Sequence, residues 1–236
     1  MVELKKDLPE IFEEFADQRR NSFLSIKKLK EQGVPYIEHL PVIENADEVR
    51  LRSAEEIARR AICCLITIQL ACDLQNQQDV EDSRLFMTGL LDRFGVRLFL
   101  TEKEKAIFDG TASEQDWVNM VWKYEAYWPL IWALGLVDSL TFPDQICDCQ
   151  KAIEVVSTKA TFDEFMKDVQ LRPIDDLLDE ADLIFRYDWA CVDARIKGEP
   201  APAGLNSEVV YERHWGLNWL IDADGQNDWD HVSCNT

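Results

Sequence analysis

The sequence predicts an all-α protein, a single globular domain of about eight or nine helices. Apolar residues recur at spacings of three and four along most of the chain, which is the period of an amphipathic helix. Ser or Thr followed three residues later by Glu or Asp precedes several of these runs, as in a helix capping box. Strand-like and helix-like patterns do not alternate, so a parallel sheet is not expected. Hydrophobic residues make up 47% of the 236 residues, enough for a sizeable core.

Residues 1–33 are predicted to form an N-terminal amphipathic helix ahead of the main domain, which spans residues 34–236. Asp7 is placed to cap this helix and Gly33 to end it. The segment after Gly33 contains prolines and alternates loosely, so it predicts an extended arm. A short strand at Tyr36–His39 is an option within that arm.

A long helix from residue 54 to about 76 is the predicted centre of the fold. Ser53 and Glu56 begin it as a capping box. After Ala61, apolar residues cover nearly every side of the helix, which is typical of a helix surrounded by others. The apolar run ends at Cys72, which is too short for the roughly 20 residues that cross a bilayer.

Capping boxes at Thr101, Ser113 and Thr161 predict three further helix starts. Pro129 falls inside the helical pattern that begins after Ser113, and it should kink or break that helix because it has no N–H to donate. Pro143 should open the next helix, since a proline in the first turn loses no hydrogen bond.

The best-defined helix spans residues 173–197, where apolar residues recur at spacings of four and three. Gly198 should end it. A proline-containing connector follows, and Asn206 or Ser207 should cap a last helix over residues 207–221. The remaining tail is acidic and predicted to be irregular.

The charge balance narrows the classes of partner. The chain has 25 basic and 45 acidic residues, a formal net charge of −20. Proteins that bind phosphate-rich partners carry basic patches, and no such Lys/Arg cluster occurs here. We therefore expect no binding to nucleic acid and none to membranes. Solubility is the simplest role for the acidic surface, while a basic protein partner and DNA mimicry remain open.

Seven cysteines are present, including the adjacent Cys63 and Cys64 and the C-x-C pair Cys147 and Cys149. There is no CxxC motif, and the first residues contain no apolar stretch typical of a signal peptide. We interpret the cysteines as reduced, mostly buried thiols and expect a cytoplasmic protein.

Metal sites are not expected. The C-x-C pair offers only two thiolates, and no second pair lies at zinc spacing. Residues 222–233 resemble a calcium loop in their aspartates, but Asn227 stands where such a loop needs Gly, and Ser233 where it needs Glu. We predict no metal and no cofactor. The motifs GxSxG, HExxH, the P-loop and GxGxxG are absent, which disfavours the common hydrolases, kinases and dehydrogenases.

Charged residues on the last two long helices are the strongest candidates for a site. Asp188 and Arg195 share one face of their helix but are two turns apart, too far to pair. If the two helices pack together, Asp188 or Asp193 could meet Arg213, and Glu212 could meet Arg195. Asp193 also has Lys197 as a partner four residues on.

This cluster has three interpretations. It is an interhelical network that fixes the packing, a polar pocket, or a surface patch for a partner. In the pocket, a histidine would act as acid or base and an arginine would hold an anion. A lone histidine on an apolar stripe, such as His214, is however usually a core residue. A second option, a His231–Cys234 pair, needs an ordered tail. The catalytic candidates are His214, Glu212 and Asp188, and the ligand-binding candidates are Arg195, Arg213, Trp189, Trp215 and Trp219.

Several segments resemble a known family. They are RSAEEIARRA (52–61), WALGLVD (132–138), RPIDDLLDEADLIFRYDWACVDAR (172–195), VVYERHWGLNWL (209–220) and WDHVS (229–233). Together they are similar to the family called domain of unknown function 4272, over roughly residues 34–234. The resemblance implies a mostly helical soluble protein. It implies no reaction, cofactor or catalytic residue, and it leaves the N-terminal helix outside the shared region.

The leading functional prediction is a soluble acidic helical protein that acts through protein–protein interaction, and no catalytic activity is evident from the sequence. The alternative is an enzyme or small-molecule-binding protein whose polar and aromatic pocket lies between helices 173–197 and 207–221. The partner and the oligomeric state are left open. If the Arg195 ion pair is buried, Arg195→Ala should destabilise the fold by roughly 3–5 kcal/mol.

Overall fold

The computed structural model describes residues 16–43, 46–76, 79–223, 225 and 228–236. Helices dominate these ranges and no β-strand occurs in them, which confirms the all-α prediction. The helices are α1 (Ala16–Gln32), α2 (Ala54–Gln75), α3 (Val80–Phe94), α4 (Glu102–Asp109), α5 (Glu114–Trp122), α6 (Tyr124–Ala133), α7 (Cys149–Ser157), α8 (Phe162–Met166), α9 (Ile174–Lys197) and α10 (Ser207–Leu220). Three-residue 3₁₀ turns lie at 97–99, 202–204 and 229–231.

The central position predicted for α2 is confirmed. It contacts α3, α4, α5, α6 and α7, and its buried residues lie on every side of the helix. Ser53 caps it as expected: the hydroxyl accepts from the Glu56 amide, and the Ser53 amide donates to the Glu56 carboxylate. An apolar helix of this kind is stable only when neighbours cover it, and α3–α7 provide that cover.

The second half of the fold is built on α10, which packs against α6 and α9. Gly216 makes the close approach to α6 possible, because a Cβ at this position would lie 2.4 Å from the carbonyl oxygen of Ala126. The N-terminal helix α1 docks on α9 of its own domain. There the Ser22 hydroxyl accepts from Arg186, which is ion-paired with Asp182 at 2.8 Å.

Two expectations about the early and middle chain are wrong. Tyr36–His39 is loop and turn rather than strand, and no other described segment offers it a strand partner. The predicted helix after Ser113 breaks at Lys123, where α5 ends and α6 begins, and not at Pro129. Pro129 stays inside α6, whose residues are all buried, so packing outweighs the lost hydrogen bond.

Pro143 does not open a helix, contrary to prediction. Its carbonyl instead accepts from the Asn206 amide at the start of α10. Asp148 is the cap that begins α7, since its side chain accepts from the Lys151 amide at 3.0 Å. The end of α9 at Gly198 is confirmed, and Asn206 caps α10. None of the helices in the described ranges has the length and apolar character needed to span a membrane.

Candidate functional site

A surface groove of about 1270 Å³ lies between α4–α5 on one side and α9–α10 on the other; we call it the α5–α10 groove. It is the larger of the two cavities described for the molecule. Its lining comprises Lys103, Ala106, Ile107, Ala112, Asp116, Asn119, Met120, Trp122 and Lys123, then Asp188, Cys191, Val192, Arg195, Gly198, Glu199 and Ala201, then Ser207, Glu208, Tyr211, Glu212, Trp215, Cys234, Asn235 and Thr236.

The charges along the groove are mostly negative. Five carboxylates and three cations line it. Two of those cations already have anionic or carbonyl partners: Lys103 donates to the carbonyl of Asp230 at 2.8 Å, and Lys123 is paired with Glu212. The third is Arg195, which is exposed. A ligand entering the groove therefore meets more negative than positive charge, which favours a cationic ligand.

Lys123, Glu212 and Trp215 form one wall of the groove. The Lys123 ammonium lies 2.8 Å from the Glu212 carboxylate and 3.6 Å from the centre of the Trp215 ring. The indole N–H of Trp215 donates to the Trp229 carbonyl at 3.0 Å, and the Tyr211 ring lies 6.1 Å away. The indole is thus held in place, so this wall is a rigid aromatic surface with a fixed charge pair.

Asp188 is the buried carboxylate of the groove, with only 4% of its surface exposed. Its Oδ2 lies 2.9 Å from His214 Nδ1, while His214 Nε2 lies 3.0 Å from the Asn218 amide nitrogen. The same Asn218 nitrogen donates to the Ser233 carbonyl at 2.8 Å, which assigns it as the NH₂ group. The network thus assigns a neutral His214 that donates from Nδ1 and accepts at Nε2.

This arrangement places His214 behind the groove rather than in it. His214 is 1% exposed, and both of its ring nitrogens already have partners. The histidine orients Asp188 instead of facing solvent. Asp188 and His214 are therefore brought together by the fold, and Asp188 is the member of the pair that a ligand in the groove would contact.

Arg213 points away from the groove into the core. Its Nε donates to Glu125 at 3.0 Å and its Nη1 donates to the Thr141 carbonyl at 2.7 Å. Glu125 also accepts from the Cys147 amide. Both side chains of the ion pair are 2% exposed. The expected pairing of Arg213 with Asp188 is wrong, because Arg213 faces α6 while Asp188 binds His214.

Arg195 does not meet Glu212, since that carboxylate is taken by Lys123. The predicted Asp193–Lys197 pair is confirmed, at 2.6 Å. Only one of the three candidate tryptophans, Trp215, lines the groove. Trp189 is half-buried beside the core, and Trp219 packs edge-to-face on Trp229 with their ring centres 5.3 Å apart.

Several residues at the site were not predicted. Lys123, Tyr211 and Asn218 line or support the groove. Lys123 pairs with the distant Glu212 and Asn218 binds the tail, so helical periodicity does not point to these contacts, whereas Tyr211 lies four residues from Trp215, a spacing that could have indicated it. The buried Arg60–Glu104 ion pair was also missed. Glu104 belongs to a predicted capping box, and its complete burial raises the pKa of its carboxyl, an effect that Arg60 opposes.

The expectation about metals concerns the acidic tail and the cysteines. No group of three or more His, Cys, Asp or Glu side chains within the described ranges is arranged to hold a metal ion. The calcium-like segment 222–233 lies partly outside those ranges, at positions 224, 226 and 227. His231 is exposed, and its Nδ1 lies 2.7 Å from Asp228 Oδ2. This contact lowers the pKa of the Asp228 carboxyl. His231 thus pairs with Asp228 and not with Cys234, the partner considered from the sequence.

The fold and the groove define an all-α, single-domain protein with an acidic and aromatic surface cleft. The chain belongs to the family described as domain of unknown function DUF4272, whose model matches residues 21–232. The match begins within α1, so most of this helix is part of the family, which agrees with its docking on α9. The expectation that the N-terminal helix lies outside the shared region is therefore wrong. A comparison with curated proteins and one with solved structures each found no significant match.

Proposed function

We propose that this protein binds a basic segment of another protein in the α5–α10 groove. The observation that carries the proposal is Asp188, a buried carboxylate that lines the groove and is held by a neutral histidine. No cationic side chain in the described part of the chain forms an ion pair with Asp188. A lysine or arginine from a partner would supply the charge, because a buried carboxylate gains most from a close cation.

The walls of the groove support the same partner chemistry. Tyr211 and Trp122 are 42% and 37% exposed, so their rings are accessible to the stem or charge of a basic side chain. The net charge of −20 would speed the approach of a positively charged segment. The groove also exceeds the roughly 300–1000 Å³ of typical small-molecule sites, which suits an extended peptide.

The location is proposed to be the cytoplasm. All seven cysteines lie in the described ranges, and none of them forms a disulfide there. Thiols in this state are typical of a reducing compartment, which supports the proposal.

A second candidate is a small-molecule site, catalytic or not, at the same place. The observation that favours it is the Asp188–His214–Asn218 chain, which fixes the carboxylate of a residue that lines the groove. Such an oriented carboxylate could hold a small cation without any protein partner. His214 would then act through Asp188, since its own Nε2 is occupied by Asn218.

The test is fluorescence polarisation with a labelled peptide in which arginine alternates with leucine. We expect this peptide to bind, and the same peptide with glutamate in place of arginine not to bind. Asp188→Asn should weaken binding about tenfold, or about 1.4 kcal/mol. The new amide still accepts from His214, so the fold is preserved and an unchanged melting midpoint should verify this.

Asp193→Asn is the matched control. It removes the same charge from the same helix, but Asp193 does not line the groove. Equal weakening by both variants would show only a general charge effect and would contradict the proposal, as would failure of the arginine peptide to bind the parent. Full displacement of the peptide by free arginine amide at low concentration would favour the small-molecule candidate.

A further inference from the structure

A second cluster of reactive side chains lies outside the α5–α10 groove, where the loop before α7 meets α6. It contains the C-x-C pair. Cys149 is the first residue of α7, and its Sγ lies 3.6 Å from the Cys147 carbonyl oxygen. The Cys149 side chain therefore folds back over Cys147. A disulfide needs Cα atoms about 4.4–6.8 Å apart, and residues two apart reach this separation when the chain between them is not fully extended.

The two thiols also influence each other's ionisation. Cys147 Sγ lies 3.9 Å from the Tyr124 carbonyl oxygen of α6. The interaction between the two cysteine side chains lowers the pKa of Cys149 and raises the pKa of Cys147. Cys149 additionally lies at the N-terminus of a helix, where the helix dipole favours a thiolate. The two cysteines thus differ in character although they share one loop.

The two cysteines also differ in their exposure to solvent and in how firmly they are held. Cys149 is half-buried, so a small reagent can reach it, whereas Cys147 is 7% exposed. The Cys147 amide donates to Glu125, and Glu125 is held by Arg213, so the position of Cys147 is fixed by the core. A reachable thiol whose pKa is lowered, beside a fixed thiol whose pKa is raised, is the arrangement of an attacking and a resolving cysteine.

We propose that Cys147 and Cys149 form a redox-active dithiol that exchanges with low-molecular-weight disulfides of the glutathione type. The Cys149 thiolate attacks one sulfur of the small disulfide, which breaks its S–S bond and releases one thiolate. The Cys147 thiol then loses its proton to solvent and attacks the Cys149 sulfur, which releases the second thiolate. The protein loses two hydrogens, and one small disulfide is reduced to two thiols.

Cys72 competes with Cys147 as the disulfide partner of Cys149. It lies on α2, is half-buried and is close enough to Cys149 for their charges to interact. Tryptic digestion distinguishes a disulfide between Cys147 and Cys149 from a disulfide between Cys72 and Cys149. Residues 124–151 form one peptide that contains both Cys147 and Cys149, whereas Cys72 lies in the peptide 61–84.

The experiment treats the reduced, folded protein with oxidised glutathione, then blocks remaining thiols in acid and digests the protein. We expect the peptide 124–151 to lose two hydrogens through an internal disulfide. Cys147→Ser should stop the reaction with one glutathione attached to Cys149. Cys149→Ser should abolish reaction on this peptide, and Cys72→Ser should leave the internal disulfide unchanged.

A sample unfolded in urea shows whether the fold causes the reactivity. There we expect Cys72 and Cys149 to react at similar rates, whereas in the folded protein Cys149 should react several-fold faster. Three results would overturn the proposal: a cross-link that joins peptides 61–84 and 124–151, an unchanged reaction in Cys149→Ser, or two unmodified thiols in the peptide 124–151 of the parent. Circular dichroism of each variant verifies that it is folded.

Discussion

The two sides of α10 carry similar ion pairs in different surroundings. On the core side, Arg213 pairs with Glu125 of α6, and both side chains are 2% exposed. On the groove side, the preceding residue Glu212 pairs with Lys123, and these side chains are 12% and 16% exposed, respectively. Adjacent residues of α10 thus bind residues two positions apart at the α5–α6 junction, with opposite polarity.

The comparison shows that the burial of an ion pair, rather than its residue types, distinguishes the pair that stabilises the fold from the pair at the candidate site. A buried charge that loses its partner has no water to replace it, whereas a charge at the edge of a groove does. The groove-side pair is therefore free to respond to a ligand at little cost to the fold. The core-side pair can only hold α10 against α6.

The largest expected effect comes from removing the charge on the core side. Glu125→Gln keeps the shape of the side chain but leaves Arg213 buried beside a neutral amide. We expect a loss of about 3–5 kcal/mol in the free energy of unfolding, measured by urea denaturation.

Glu212→Gln is the control on the groove side. It makes the same chemical change one residue from Arg213, and we expect a loss of about 0–1 kcal/mol, because Lys123 keeps access to water and to the Trp215 ring. Equal losses in the two variants would contradict the distinction between the two sides of α10.

A smaller effect is expected from the backbone contact on the core side. Gly216→Ala places a methyl group against the Ala126 carbonyl oxygen, so α10 must move away from α6. We expect thermal or urea unfolding to show a loss of about 1–3 kcal/mol. Gly89→Ala in α3 is the matched substitution with open space around it, and it should stabilise the protein by about 0.5–1 kcal/mol. A stabilising Gly216→Ala would show that the two helices are not in close contact.

The smallest effect is expected at Arg195, where the sequence predicted a large effect if the ion pair of Arg195 is buried. Arg195 is exposed and forms no ion pair with a described residue, so Arg195→Ala should change the free energy of unfolding by less than about 0.5 kcal/mol. Its effect on binding is expected to be a modest gain for the arginine peptide, because one positive charge leaves the groove. If Arg195→Ala lowered the melting midpoint as far as Glu125→Gln does, that result would instead support a buried ion pair at Arg195.

What the sequence determined is local. The capping boxes at Ser53, Thr101 and Ser113, the glycine that ends α9 and the Asp193–Lys197 pair all depend on residues within four positions of one another. Such interactions follow the helical period directly, so they can be predicted from spacing. The family was also recognised from its motifs, and the central position of α2 followed from its apolar faces.

Only the tertiary structure decided which charges meet. The two pairs on α10 join residues 88 and 89 positions apart, and no periodicity reaches that far. The helix faces of Asp188, Arg213 and Glu212 could be assigned from the sequence, but the rotation of α10 against α6 and α9 could not. That rotation directs Arg213 into the core, places His214 beside Asp188 and leaves Glu212 at the groove. It is set by the packing of the whole helix on α6 and α9, which includes the close approach at Gly216, and this packing has no counterpart in the local spacing of residues.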